Sequence, residues 1–290
     1  MMTNSKKIVS LLVVSSVILV LLSGCGASKG SGSTEAGSDS AGMLYPAKIT
    51  YIEEGGDGEG NMVEENRVVR TYTFDDKGNP VSCVKTERDA EMTDTYENTY
   101  RDDGTLEKVT GKVGYYDDET GQTDYLDVVR EYDEQERLVT KVSDGWIYNY
   151  VYNEDGTLKS MEYYTEGGED SKTVKDYSYE GVNDKDLSMT SKATESWYEE
   201  GQLSEEIDES IVTYNKDGYM IKTEYLIDDG LPCWDYDYEM EDGLVTKVSQ
   251  HYEDSEYYTY TFEYDKNGSG KTMSPEAYRN YINNIFDDIF

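Results

Sequence analysis

Residues 148–159, with the sequence YNYVYNEDGTLK, constrain the fold of this chain more than any other stretch. Three tyrosines alternate with Asn149, Val151 and Asn153, so their rings lie on one face of a strand. The Asn-Glu-Asp-Gly that follows breaks the alternation, because Asn and Asp bond their own backbone and Gly accepts a positive φ. Leu158 then resumes the alternation. The stretch predicts a β-hairpin whose loop of about four or five residues is built on a type I turn.

Variants of this unit recur from about residue 70 to residue 271. Their first strands contain Tyr72, Tyr100, Tyr132, Tyr177, Tyr214, Tyr236 and Tyr258. In the copy that follows Tyr132 the turn reads Asp-Glu-Gln-Glu-Arg, and the glycine is lost. The turn glycines recur roughly every 20 to 35 residues, a period typical of repeats that bury their faces on one another.

The repeats have one apolar and one polar face. In the last copy Tyr258, Tyr260 and Phe262 share a face, while Thr259 and Thr261 point away. One covered face is typical of an antiparallel sheet, and a long sheet of this kind must curl or be covered. The sequence therefore predicts an all-β fold: a curled antiparallel β-meander of repeated hairpins with one C-terminal amphipathic α-helix.

The cover is predicted to be the helix 274–290. Ser274 suits the N-cap and Pro275 the first helical position. An apolar stripe with the period of a helix follows, made of Tyr278, Tyr281, Ile282, Ile285, Phe286 and Ile289. We expect this helix to pack on the inner face or to plug one end of the curled sheet, within a single domain of residues 43–290. The alternative is a helix that binds a partner or a membrane surface.

The pattern Tyr-x-Tyr-Asp-x-x-Gly-x-Leu resembles the YD repeats of bacterial surface proteins, including Rhs-type shells. The resemblance covers about 200 residues of the chain. It implies a shell of β-hairpins and no particular activity. The toxic domain and protease core of the large shells have no counterpart in this sequence, so a toxin-shell role is not implied.

The first residues predict an export signal. A lysine pair precedes the apolar run 8–22, which is shorter than the about 20 residues of a spanning helix. The run ends in Leu-Ser-Gly-Cys at Cys25, which resembles the lipobox of bacterial lipoproteins. The resemblance implies removal of residues 1–24 and a lipid on Cys25, which then anchors the chain in the bacterial cell membrane on its extracytoplasmic face. The Gly- and Ser-rich residues 25–42 form a flexible tether. A plain secretory signal with a nearby structural cysteine is the alternative.

Charge limits the partners. The formal net charge is -36, so we expect no nucleic acid partner, because phosphate binding needs clustered Lys and Arg. The acidic, glycine-rich residues 53–60 are predicted to form a hairpin tip. A calcium site there is the minor alternative, since the ligand order of a calcium loop is missing.

We find no catalytic constellation and predict no enzyme, no cofactor and no metal site. Residues 268–272, GSGKT, resemble the end of a phosphate-binding loop, but Asp265 stands where that loop needs its first glycine. His251 is the one histidine of the sequence, in a strand-like run, and hydrolases usually need a histidine base. Paired carboxylates for glycoside hydrolysis stay an alternative, because Asp and Glu are so numerous.

Two cysteines and three tryptophans have more than one interpretation. We expect Cys83 and Cys233 to be half-buried thiols rather than a disulfide. Trp146, Trp197 and Trp234 are predicted to pack in the sheet, or alternatively to form a stacking surface for sugars.

The sequence thus predicts a lipid-anchored lipoprotein with a non-catalytic structural or binding role at the bacterial envelope, and an envelope glycan or protein as its partner. The alternative is a carrier that holds an apolar ligand inside the curled sheet, and an unrecognised hydrolase is a third hypothesis.

Overall fold

The computed structural model describes residues 43–56, 62–87, 90–117, 120–182, 186–226, 233–252, 256–265, 272–273 and 275–283. The strands are β1 (Met43–Leu44), β2 (Lys48–Gly56), β3 (Met62–Phe74), β4 (Pro80–Glu87), β5 (Ala90–Tyr100), β6 (Leu106–Asp117), β7 (Gln122–Tyr132), β8 (Leu138–Ser143), β9 (Trp146–Tyr152), β10 (Leu158–Thr165), β11 (Thr173–Gly181), β12 (Leu187–Glu199), β13 (Gln202–Asn215), β14 (Met220–Tyr225), β15 (Cys233–Glu241), β16 (Leu244–Tyr252), β17 (Glu256–Glu263) and β18 (Thr272–Met273). One helix, α1, spans Pro275–Asn283 in this part of the chain.

Strands β2 to β17 form a closed barrel of 16 described strands. Consecutive strands pair antiparallel throughout, which confirms the all-β meander of hairpins. The prediction of a curled meander left closure undecided, and the sheet is a closed barrel, because β17 pairs with β2 from Glu256↔Gly55 to Glu263↔Lys48. Closure pairs the backbone groups that the two edges of an open sheet would leave unpaired.

The outward face of the barrel is polar and carries ion pairs between neighbouring strands. Lys48 Nζ lies 2.6 Å from Glu263 across the β2–β17 seam, and Lys108 Nζ lies 3.0 Å from Glu131 between β6 and β7. Exposed pairs of this kind contribute at most about 1 kcal/mol each, so they favour the strand register more than they stabilise the barrel. A face with these charges is suited to contact with water.

The inward face packs into two apolar clusters. The first joins β2, β3 and β14–β17 with α1, and its most buried members include Tyr51, Tyr260 and Val248. The second joins strands between β6 and β10 and includes Tyr148 and Tyr150. The predicted sharing of one face by the repeat tyrosines is therefore confirmed.

The repeat turns share one geometry. In five of them the carbonyl of the first residue accepts a hydrogen bond from the N–H three residues on: Asp75 from Gly78, Arg101 from Gly104, Asp133 from Glu136, Asn153 from Gly156, and Asn215 from Gly218. Since neither central residue of any of these turns has a positive φ, this bond confirms the predicted type I turn. The donor residue has a positive φ in all five, from 56° at Glu136 to 92° at Gly104. The recurrent glycine meets this requirement without a steric penalty.

Glu136 replaces that glycine and bonds a neighbouring repeat. Its φ of 56° is unusual for a residue with a Cβ. Its buried carboxylate accepts the N–H of Leu106 at 2.7 Å, at the start of the second strand of the previous hairpin. A charged acceptor for a buried N–H offsets the backbone strain.

Tyrosine hydroxyls tie each hairpin to the one before it. A ring near the end of one strand donates its O–H to the backbone carbonyl that follows the preceding turn. The pairs are Tyr152 to Leu138 (2.7 Å), Tyr179 to Leu158 (3.0 Å), Tyr238 to Met220 (2.7 Å) and Tyr264 to Val245 (2.7 Å). We call these contacts the tyrosine clamps. Phenylalanine cannot make them, which gives a physical reason for 29 tyrosines beside 4 phenylalanines.

Helix α1 covers one end of the barrel, as predicted. Tyr278, Tyr281 and Ile282 are buried in the first cluster. Asn283 donates to the Gly218 carbonyl and accepts the N–H of Met220, each at 2.8 Å. The predicted residues 284–290 of this helix lie outside the described residues.

Candidate binding site at the aromatic mouth

The loops that connect the strands lie at two opposite ends of the barrel. Because every strand reverses the chain, the repeat turns at 75–79, 101–105, 133–137, 153–157 and 215–219 all lie at one end of the barrel. We call this the turn end, and α1 covers it. The opposite end, which we call the rim end, holds the alternate connections, among them 144–145 and 200–201.

The three tryptophans all lie toward the rim end. Trp146 is the first residue of β9, Trp234 is the second residue of β15, and Trp197 lies near the end of β12. Trp146 is on the same face as Tyr148 and Tyr150, because side chains alternate along a strand. The antiparallel strand order therefore places residues that are far apart in the sequence at the same end of the barrel.

Their rings face the interior, and two of them lie beside tyrosines one or two strands away. The Trp146 ring lies 6.1 Å from that of Tyr163, and the Trp234 ring lies 5.4 Å from that of Tyr258. Trp197 is the register partner of Thr173, which pairs with Tyr163. Tyr225 ends β14, two residues beyond Thr223, the register partner of Trp234. The aromatic mouth is defined here as Trp146, Tyr163, Trp197, Tyr225, Trp234 and Tyr258.

The aromatic mouth keeps part of its apolar surface accessible. Trp146 and Tyr225 are each 39% exposed, and Trp197 and Trp234 are half-buried. Aromatic rings in a core are normally covered on both faces, so an accessible arc of rings is a surface for a ligand that stacks. Trp146 and Trp234 pack on tyrosines of the sheet, as predicted, and also meet solvent; the stacking surface for sugars stays a prediction.

Three charged side chains lie further inside the barrel, two residues along the strands from Trp197 and its partner Thr173. Lys175 Nζ lies 2.6 Å from Glu209 and 3.5 Å from Glu195, and Glu195 also accepts the Tyr163 hydroxyl at 2.8 Å. The three charged side chains are at most 15% exposed. Burial raises the pKa of Tyr163, and its hydrogen bond to Glu195 adds to this rise. The Tyr163 hydroxyl therefore stays protonated at neutral pH, and the ion pairs fix the ring that Trp146 contacts.

Polar side chains also border the tyrosine side of the mouth. Tyr258 is the register partner of Gln250 on β16 and of Glu53 on β2. Glu53 accepts the Tyr51 hydroxyl at 3.4 Å. Rings combined with an amide and a carboxylate can stack on the face of a ligand and bond hydroxyl groups at its edge.

Other residues singled out in the sequence lie elsewhere. Cys25 is outside the described residues, as are 57–60 of the predicted hairpin tip and 268–271 of the GSGKT stretch, while 53–56 of that tip belong to strand β2. His251 is half-buried on β16, with Nε2 3.3 Å from Asp237. Cys83 and Cys233 are both free thiols, but Cys83 is fully buried and so the prediction that it is half-buried is wrong.

The described residues contain neither a metal cluster nor a membrane-spanning helix. No group of three or more His, Cys, Asp or Glu residues in them is placed to hold a metal ion. None of their helices is long and apolar enough to cross a membrane.

The sequence did not indicate the ion group or the shared end of the tryptophans. Lys175 and Glu195 lie among polar residues on both faces of their strands, so alternation alone did not mark them as inward-facing. The sequence did contain a signal for the position of two tryptophans, which was not used: Trp146 and Trp234 begin strands that lead into a repeat turn. They must lie at the end opposite that turn.

No protein-family model and no curated protein matches this chain. A solved structure, a porin-like protein from Bacteroides uniformis ATCC 8492, is similar with a TM-score of 0.40 and 11% identity, over 76% of this chain and 96% of that one. The structure of TcdB2-TccC3-TEV is similar with a TM-score of 0.19 and 12% identity, over 68% of this chain and 15% of that one. Both likenesses are loose and carry no conclusion about function. The YD-repeat and lipoprotein resemblances stay predictions.

Proposed function

We propose that this chain is a non-catalytic binding protein of the bacterial envelope, lipid-anchored through Cys25, and that its aromatic mouth binds an envelope glycan. The observation that carries the proposal is the position of Trp146, Trp197 and Trp234, which all lie toward one end of a closed barrel with part of their rings accessible. Sugar rings have apolar faces that stack on such side chains, while carboxylates and amides accept and donate at the hydroxyl groups.

The position of the first described residues supports an orientation in which the aromatic mouth points away from the membrane. Tyr45 packs against Phe74 and Tyr281, with ring centroids 5.6 and 4.9 Å apart, so the chain enters the barrel at the turn end. The predicted Gly- and Ser-rich tether, residues 25–42, joins the barrel at this end. With Cys25 in the bilayer, we expect the turn end to face the membrane and the aromatic mouth to point away from it.

The test is equilibrium binding of soluble glycan strands from bacterial cell wall to a chain that begins at Gly26. All described elements lie within residues 43–283, so this chain keeps the whole barrel. The variant is Trp146→Ala, and the control is Val151→Ala, an exposed apolar residue on the outer face of the same strand. We expect Trp146→Ala to weaken binding at least about tenfold, because truncating an aromatic anchor costs about 2 kcal/mol. No binding by the wild type, or equal binding by both variants, would overturn the proposal.

The alternative, a carrier of an apolar ligand inside the barrel, has weaker support. The first cluster packs Tyr51, Val248 and Tyr260 to near-complete burial, which leaves that part of the interior occupied by side chains. Mass spectrometry of an organic extract of the purified chain separates the two ideas. Lipid bound in proportion to protein would favour the carrier.

A further inference from the structure

A cleft at the turn end is separate from the aromatic mouth. Its volume is 520 Å³, and it lies between α1, β1 and the turn 215–219. Residues that border it are Met43, Lys216, Gly218, Tyr219, Met240 and Arg279. It therefore combines methionine and tyrosine surface with two cationic groups.

The walls of the cleft are fixed by hydrogen bonds. The Asn215 side chain accepts the N–H groups of Asp217 and Tyr219, each at 3.0 Å, which holds the turn. Asn283 of α1 bonds the Gly218 carbonyl at 2.8 Å, which holds the helix against that turn. A Cβ on Gly218 would lie 3.0 Å from Arg279 Nε, so the guanidinium stem packs directly on the glycine backbone. The arginine is thus positioned by its surroundings.

The charge in the cleft has the opposite sign to that of the chain. Lys216 and Arg279 face one carboxylate, Asp217, whereas the whole chain has a net charge of -36. At physiological salt, charges beyond about 8 Å are largely screened, so the local cations dominate the potential inside the cleft.

We propose that this cleft binds a phosphate group that is attached to an apolar or glycerol-like moiety. Arg279 offers a planar fork of N–H donors for the phosphate oxygens, and Lys216 adds a second cation. Met240 is 48% exposed and with Met43 provides an apolar lip for the rest of the ligand. The group could come from a lipid headgroup or from a soluble phosphate ester, and both share this chemistry. The proposal is independent of the glycan site.

The test uses the chain that begins at Gly26, so that no lipid anchor contributes. Binding is measured by flotation with vesicles of phosphatidylcholine alone or mixed with phosphatidylglycerol, and by calorimetric titration with glycerol phosphate. The variants are Lys216→Gln alone and together with Arg279→Gln. The control is Lys159→Gln, which makes the same charge change at an exposed position near the turn end. Thermal melting of each variant checks that the barrel is folded.

We expect binding to at least one probe, weakened about tenfold or more in the double variant and measurably in Lys216→Gln, with Lys159→Gln like the wild type. Binding to phosphatidylglycerol vesicles without binding to glycerol phosphate assigns the lipid source, and the reverse assigns a soluble ester. Absence of binding to both probes, or equal loss in the Lys159→Gln control, would overturn the proposal. Because the variants leave the rim end unchanged, glycan binding should be unaffected in all of them.

Discussion

Replacing Tyr278 by phenylalanine should destabilise the barrel more than any other single tyrosine-to-phenylalanine change at the turn end. The buried hydroxyl of Tyr278 accepts the N–H of Val245 at 2.6 Å and lies 2.7 Å from the Tyr264 hydroxyl. Tyr264 donates its own proton to the Val245 carbonyl at 2.7 Å, so Tyr278 donates to Tyr264. The three groups form a closed ring of hydrogen bonds that fastens α1 to β16.

The two possible single changes break this ring differently. Tyr278→Phe leaves the buried N–H of Val245 without its acceptor, which costs about 1–3 kcal/mol. Tyr264→Phe removes the donor of the Val245 carbonyl and the acceptor of the Tyr278 O–H; because a hydroxyl can rotate toward another acceptor, we expect a smaller cost of about 0.5–1.5 kcal/mol. Because one ring contains both hydroxyls, the double change should cost less than the sum of the two single changes.

The assay is urea unfolding of the three variants, with thermal melting as a second measure. For a chain of this size about 1 kcal/mol corresponds to roughly 2–4 °C in melting temperature. Tyr125→Phe is the control, since Tyr125 is 43% exposed, and its effect should stay within about 0.5 kcal/mol. If Tyr278→Phe were as mild as this control, or if the two ring changes added in full, the hydrogen-bonded ring would not fasten the helix.

Three further predictions concern the tyrosines, the atypical turn and the thiols. Burial raises the pKa of Tyr278 to about 12 and that of Tyr264 higher still, while unfolded tyrosine titrates near 10. The contribution of each such tyrosine to the free energy of unfolding is therefore complete below about pH 10 and falls above it by roughly 1.4 kcal/mol per pH unit. A free energy of unfolding that stays constant to about pH 12 would contradict this. Glu136→Gly should destabilise by about 1 kcal/mol although it restores the repeat glycine, because the lost bond to Leu106 outweighs the relieved strain; a gain in unfolding free energy would show that strain dominates. The chain from Gly26, unfolded without reductant, should show two reactive thiols, from Cys83 and Cys233, and none would indicate a disulfide.

The local structure could be predicted from the sequence because its determinants are local. Alternating rings at 148–152 predicted a strand, Asp155 and Gly156 predicted its turn, and the stripe after Pro275 predicted α1. Closure of the barrel could not be predicted, because the pairing of β17 with β2 joins distant segments with ordinary strand sequences.

In the candidate site too, local features could be predicted from the sequence and features that depend on strand pairing could not. The sequence identified Trp146, Trp197 and Trp234 as a candidate stacking surface, but their common end depends on the direction of each strand in the closed sheet. The role of the tyrosine hydroxyls depends on carbonyls of the preceding hairpin, so the choice of Tyr over Phe had no explanation before the register was known. The turn-end cleft needs α1 and the turn 215–219 together, which no local pattern connects.

Closure of the barrel is the central claim, because it makes the rim end, where the three tryptophans lie, the mouth of a barrel. A cross-link between β2 and β17 tests it most directly. Thr50 and Thr261 are register partners that face outward, so Thr50→Cys with Thr261→Cys places two thiols across the seam without touching the inner face. The control is Thr50→Cys with Thr259→Cys, which is two residues out of register. A closed barrel predicts a disulfide between positions 50 and 261, formed in high yield under mild oxidation and identified by peptide mass spectrometry. A yield no higher than that of the control pair would contradict the closed barrel and the mouth built on it.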